Sequence, residues 1–145
     1  IASKVDDIGN FINQESHYRH SAYILESNPL IGLSDNDNQI IAEVARYHSA
    51  ETPSATQEHY RHMDDDIQLV VAKLAAILRL VDALDDSRQQ KISAVKLKLT
   101  NDNLLKIKAT SNDDLVLEKW SFSKKSQLFN DVFGVKPVLI ERGGH

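Results

Sequence analysis

The 145-residue sequence contains no cysteine. That absence excludes thiol nucleophiles, zinc ribbons and iron–sulfur clusters. Aromatic residues make up only 6% of the chain, with a single tryptophan. No apolar run approaches the ~20 residues that a bilayer span needs. Ile1 opens neither a signal peptide nor a transit sequence, so a soluble protein of a reducing compartment, the cytoplasm, with no membrane partner is expected. A chain of this length buries roughly two-thirds of its unfolded surface, enough for one domain, or one domain with a small appendage, without disulfide support.

Charge is present in both signs, with 17 Lys and Arg against 21 Asp and Glu, and it is unevenly spread. Residues 1–90 hold seven basic and fifteen acidic residues, whereas residues 91–145 hold ten and six. Five of the six histidines lie in the acidic part. An acidic, histidine-bearing region suits a divalent metal and a basic one suits a polyanion, although carboxylate-rich helix surfaces beside Lys-rich strands give the same count.

The hydrophobic period changes near Ser87. Before it, Ile40, Ile41, Val44, Ala45 and Tyr47 recur at helical spacing, with Ser34 or Asp35 as the N-cap. The longest such segment runs from about Asp64 to Asp86 and is apolar nearly all round from Leu69 to Leu78, which predicts burial on several sides. Shorter helices fit Ile1–Gln14 and Arg19–Ser27, while Asn28–Leu33 and the Pro53-containing stretch Ala50–Arg61 read as connections. After Ser87, Val95, Leu97 and Leu99 alternate with lysines and threonine, as Leu105 and Ile107 do with Lys106 and Lys108, which marks strands with one wet face. Asn101-Asp102-Asn103 predicts the turn between them, Leu115–Trp120 a third strand, Ser123–Phe133 a short helix closed by Gly134, and Val138–Ile140 a last strand. Trp120, Phe122, Phe129 and Phe133 are expected to form the core there. The fold class is α+β: a mostly helical domain over residues 1–88, then a small antiparallel β-rich unit with one helix over residues 89–145.

Five constellations could carry chemistry. Asp6-Asp7-Ile8-Gly9 offers oxygen ligands for Mg or Mn, or simply a solvated acidic pair. His17 and His20, one helical turn apart, could share a metal or a phosphate, or cap and pack. His48 follows Arg46-Tyr47 where a helix ends, a position that the helix dipole alone explains. Asp82 lies one turn beyond Arg79 in a largely apolar helix and therefore needs a cation, with Arg79 the simplest partner. His59, His62 and Asp64–Asp66 read as a capped, solvated helix start, with a ligand set as the alternative.

The order Asp-Ile-Gly, His-x-x-His-Ser, Ala-Arg-Tyr-His and Lys-Leu-Ala-Ala-Ile-Leu-Arg-Leu-Val-Asp-Ala-Leu-Asp resembles the C-terminal region of the exopolyphosphatase/guanosine pentaphosphate phosphohydrolase (Ppx/GppA) family, whose helical part is an HD-type domain. Asp7–Ser21, Val44–His48, Lys73–Asp85 and the tail through Leu128-Phe129 and Val132-Phe133-Gly134 carry the likeness, which covers nearly the whole chain. Lys73–Asp85 is its most specific part. By this resemblance Asp7 matches the Asp of the HD pair and Asp82 the later Asp, while His17, His20 and His48 match histidines that hold a second metal in related phosphohydrolases. Such a metal, Mg or Mn, lowers the pKa of bound water and neutralises phosphoryl charge. Asp6 stands where the pair has His, Tyr18 stands where relatives can carry another His, and the helix bearing the first His would lie before Ile1.

The resemblance also implies that hydrolysis belongs to N-terminal catalytic domains of the actin/sugar-kinase type, missing from this stretch. The chain is then expected to be an accessory module that binds polyphosphate or guanosine pentaphosphate through Arg19, Arg46, Lys73 and Arg79, extended by the Lys-rich strands, and supports a homodimer. Two alternatives stand beside it. One is a metal-dependent HD-type phosphohydrolase using Asp7, His17, His20, His48 and Asp82; the other is a structural domain with a buried polar network.

Overall fold

Helices α1 (His17–Ser27) and α2 (Asp35–Arg46) open the described part of the chain. The structure is a computed structural model that describes residues 17–47, 53 and 58–143, with side chains from Ala22 onward. The helix expected over Ile1–Gln14 lies outside the described residues. Ser34 is the N-cap of α2: Asp37 N–H donates to Ser34 Oγ at 3.1 Å and Ser34 N–H donates to Asp37 Oδ2 at 3.3 Å. This reciprocal capping satisfies two helix-end donors and is typically worth ~1 kcal/mol. Asn38 fastens the connection onto α2, accepting from Leu30 N–H at 2.7 Å and donating to the carbonyls of Leu30, Leu33 and Ser34. Gly32, at φ +89°, makes the turn that a side chain would strain. Ala42 and Ala45 are fully buried, and their small size lets Leu25 of α1 pack closely.

A single helical turn, α3 (Glu58–Arg61), forms inside the stretch expected as a loop. It is too short to persist on its own, and tertiary contacts hold it. Gln68 donates to the carbonyls of Tyr60 at 2.9 Å and Met63 at 3.0 Å, and the Tyr60 hydroxyl donates to Gln68 O at 3.1 Å. The Tyr60 ring meets the buried Tyr47 edge-on, with centroids 6.2 Å apart.

Helix α4 (Asp65–Ala83) starts on Asp65 and Asp66, which complement its dipole. The expectation of burial on several sides is corrected. Val71, Ala75, Ala76 and Ala83 are fully buried, but Val70, Leu74, Ile77 and Val81, at spacings of four, three and four, are 42–53% exposed. Alanines together with Val71, Leu78 and Leu80 make the packed side, and a stripe of larger apolar residues lies open. Two compact units divide between Leu78 and Arg79, inside α4.

In the C-terminal unit, β1 (Ile92–Leu99) and β2 (Leu104–Ser111) form the expected antiparallel hairpin. Asn103, at φ 58°, takes the left-handed turn position that asparagine tolerates. Leu115–Trp120 is helical rather than a strand: one helix, α5, runs from Val116 to Phe133. Leu115, Glu118 and Phe122 are buried at spacings of three and four, the helical period that aromatic β-propensity had masked. Gly134, left-handed at φ 65°, closes α5 as expected.

Strand β3 (Lys136–Gly143) pairs parallel with β2, so the sheet, of order β1-β2-β3, is mixed rather than wholly antiparallel. The long helix between β2 and β3 is the reason, since a helical crossover returns the chain to the same end of the sheet. The class is nonetheless α+β and mostly helical. Leu80, Ala83, Ile107 and Phe122 form the core, joined by Leu105, Phe129 and Leu139. Trp120 is corrected from core to surface: it is 57% exposed, with the Lys124 ammonium 3.6 Å from its ring centre. No helix among the described residues is long and apolar enough to cross a membrane.

Candidate functional site

The candidate residues divide between the two units. Asp7 and His48 lie outside the described residues. His17, Arg19 and His20 belong to α1, though their side chains are also outside. Arg46, at the last turn of α2, is ion-paired with Glu26 at 3.1 Å and Glu43 at 3.4 Å. Lys73 is exposed on α4. Arg79 is only 7% exposed; burial pulls its pKa below the usual guanidinium value, and Asp82 opposes that shift.

Asp82 is held at both oxygens. Arg88 Nη2 donates to Oδ1 at 3.0 Å, and Lys125 Nζ donates to Oδ2. Asp86 lies 3.9 Å from the same ammonium and accepts from Ser121 Oγ at 2.9 Å. These contacts tie the end of α4 to α5, and the carboxylate that the sequence left needing a cation has two.

The sheet presents a cationic face. Side chains alternate along a strand, and in this register Lys96 lies opposite Lys108 and Lys98 opposite Lys106, with Thr110 opposite Arg142. The alternate residues Leu105, Ile107 and Leu139 take the other face, towards Phe122 and Phe129, so the lysines are turned from the core. A cleft of about 210 Å³ is lined by Lys96, Lys108, Thr110, Arg142 and Gly143. Like charges directly opposite each other destabilise a sheet, so two such pairs side by side mark a surface suited to an anion.

In a second polar cluster only His59 was among the candidates read from the sequence. Glu26 on α1, Glu43 on α2 and His59 on α3 each place one ligand atom within 4.8 Å of the others. The α1–α2 packing aligns the two carboxylates, and the Tyr47–Tyr60 contact brings α3 alongside. Glu43 is 1% exposed, and its Oε2 is buried without a partner at hydrogen-bond geometry. Burial raises the Glu43 pKa; Arg46, His59 and a side-chain hydrogen bond from Tyr47 pull it down less strongly, and Glu26 adds to the rise. The sequence did carry one signal: Ile40, Glu43 and Tyr47 fall on one helical stripe, placing an acid on an apolar face. Glu26, 17 positions away, has no local signature, and His59, 16 away, stood out only beside His62 and Asp64–Asp66.

Compared with known protein families, residues 1–126 match the Ppx/GppA phosphatase, domain III.

Proposed function

The chain belongs to the Ppx/GppA phosphatase family, and from that premise we propose that it serves as a C-terminal accessory module, its helices of HD type, that holds the anionic phosphate chain of polyphosphate or guanosine pentaphosphate for catalytic domains elsewhere in the protein. The observation that carries this reading is the lysine face, with Lys96 opposite Lys108 and Lys98 opposite Lys106. Repeated phosphates reward many modest charge contacts spread over a surface, each releasing counterions from the polyanion. Arg142 continues the face at the β3 edge. Arg19, Arg46, Lys73 and Arg79 are the helical candidates for the same task; of these, Arg46 is already engaged by two carboxylates and Lys73 is open to solvent.

The test is binding of polyphosphate of defined lengths across a salt titration. Affinity is expected to rise with chain length and fall steeply with salt, and Lys96→Gln with Lys108→Gln is expected to weaken it about tenfold, the equivalent of ~1.4 kcal/mol. Binding that is insensitive to salt, or indifferent to the lysine variants, rejects the reading. A metal-dependent HD-type phosphohydrolase draws no support from Asp82, whose two oxygens are both salt-bridged.

A further inference from the structure

We propose that Glu26, Glu43 and His59 form a binding site for one divalent transition-metal ion of zinc-like chemistry, separate from the residues that the family resemblance points to. Three helices contribute one ligand each, with the ligand atoms within 4.8 Å of one another. Zinc bonds of about 2.1 Å in a tetrahedron put neighbouring ligand atoms about 3.4 Å apart, so a small closure completes the set. Glu26 and His59 are exposed, with room to turn inward, whereas Glu43 is fixed by burial.

Donor chemistry selects the ion. Magnesium and calcium favour oxygen alone, whereas an imidazole with two carboxylates suits zinc and its first-row neighbours. Arg46 donates to Oε1 of both glutamates and thereby leaves the second oxygen of each for an ion, as outer-shell partners do in metal sites. Two carboxylates against one guanidinium also leave a negative charge uncompensated beside the buried Oε2, which no donor meets at full hydrogen-bond geometry. A divalent ion supplies that charge and satisfies that oxygen. Three protein ligands leave a fourth position open for water or a phosphate oxygen.

The experiment is calorimetric titration of the 145-residue chain with Zn²⁺ alone, followed by His59→Ala, Glu26→Gln and Glu43→Gln, with circular dichroism to check that each variant folds. One ion per chain is expected, weakened about tenfold or more by each of the three substitutions. His62→Ala, outside the cluster, is expected to bind as the parent does. Because His59 and Glu26 are exposed, their variants retain the fold even if Glu43→Gln does not. Absence of saturable binding overturns the proposal. So does zinc binding that His59→Ala and Glu26→Gln leave unchanged, or that His62→Ala weakens equally.

Discussion

Glu43 in the N-terminal unit and Glu118 in the C-terminal unit are 1% and 0% exposed, yet their carboxylates are served differently. Glu118 Oε1 accepts from both the hydroxyl and the N–H of Ser87, and Lys91 faces Oε2 at 3.6 Å. Glu43 has Arg46 on Oε1 and the Tyr47 hydroxyl against its carboxylate, and it has no second ammonium or guanidinium to match the Lys91 that faces Glu118 Oε2. Their titration moves in opposite senses. Burial pushes Glu118 up, but the Ser87 bonds, its own backbone N–H and Lys91 together outweigh it and hold the carboxyl below its ordinary value. For Glu43 burial prevails and the pKa rises. Equal burial therefore has unequal meaning: at Glu118 the surrounding donors outweigh desolvation, and at Glu43 they do not.

The contrast should break most visibly at Glu118. Glu118→Ala, which strands Lys91 and Ser87, is expected to cost about 3 kcal/mol in a urea unfolding experiment at neutral pH. Arg46→Met, which leaves the Glu26 and Glu43 carboxylates facing each other, is expected to cost about 2 kcal/mol, and Zn²⁺ is expected to restore part of it by replacing the lost positive charge. Ser87→Ala removes one donor from Glu118 and should cost about 1 kcal/mol. Glu43→Gln should change stability least, by under ~1 kcal/mol, because relief of the desolvation that dominates at this carboxylate offsets the weakened Arg46 contact.

Acid titration sharpens the comparison, because the two contributions have opposite signs. The Glu118 contribution is present above its unfolded value of 4.5 and is lost as pH falls through the lower folded value. For Glu43 the contribution is complete below 4.5 and is lost as pH rises through the higher folded value. The stability gap between the parent and Glu118→Ala should therefore narrow in acid. The balance between the parent and Glu43→Gln should shift towards the variant as pH rises. Parallel urea midpoints from pH 3 to 7 check both, and a gap that does not change with pH for either residue removes its assigned role.

Features set by neighbours in sequence were legible in advance. Ser34 as a cap, the turn at Asn101–Asn103, the wet faces of β1 and β2 and the left-handed Gly134 each depend on a few consecutive residues. Features set by tertiary contact were not. Helix α3 exists because Gln68 and Tyr47 hold it, and the N-terminal turns of α5 follow the burial of Leu115, Glu118 and Phe122 rather than the β-propensity of their neighbours. The same division runs through the candidate sites. The Lys96–Lys98 and Lys106–Lys108 alternation is visible in the sequence, whereas the Lys125–Asp82 pair spans 43 positions and depends on α5 being one continuous helix.

The position of β1 has a colloidal consequence. Among the described residues it is an edge strand, and its side chains Val95, Leu97 and Leu99 are 43%, 66% and 64% exposed. Such a strand is a template for stacking with other chains unless charge interrupts it. Lys96 and Lys98 alternate with those apolar residues and act as gatekeepers, since adding another strand would bring further lysines into the same row. Neutralising these two lysines is therefore expected to lower the protein's solubility limit, and a polyanion bound as proposed, by discharging the face, would bring the chain closer to that limit.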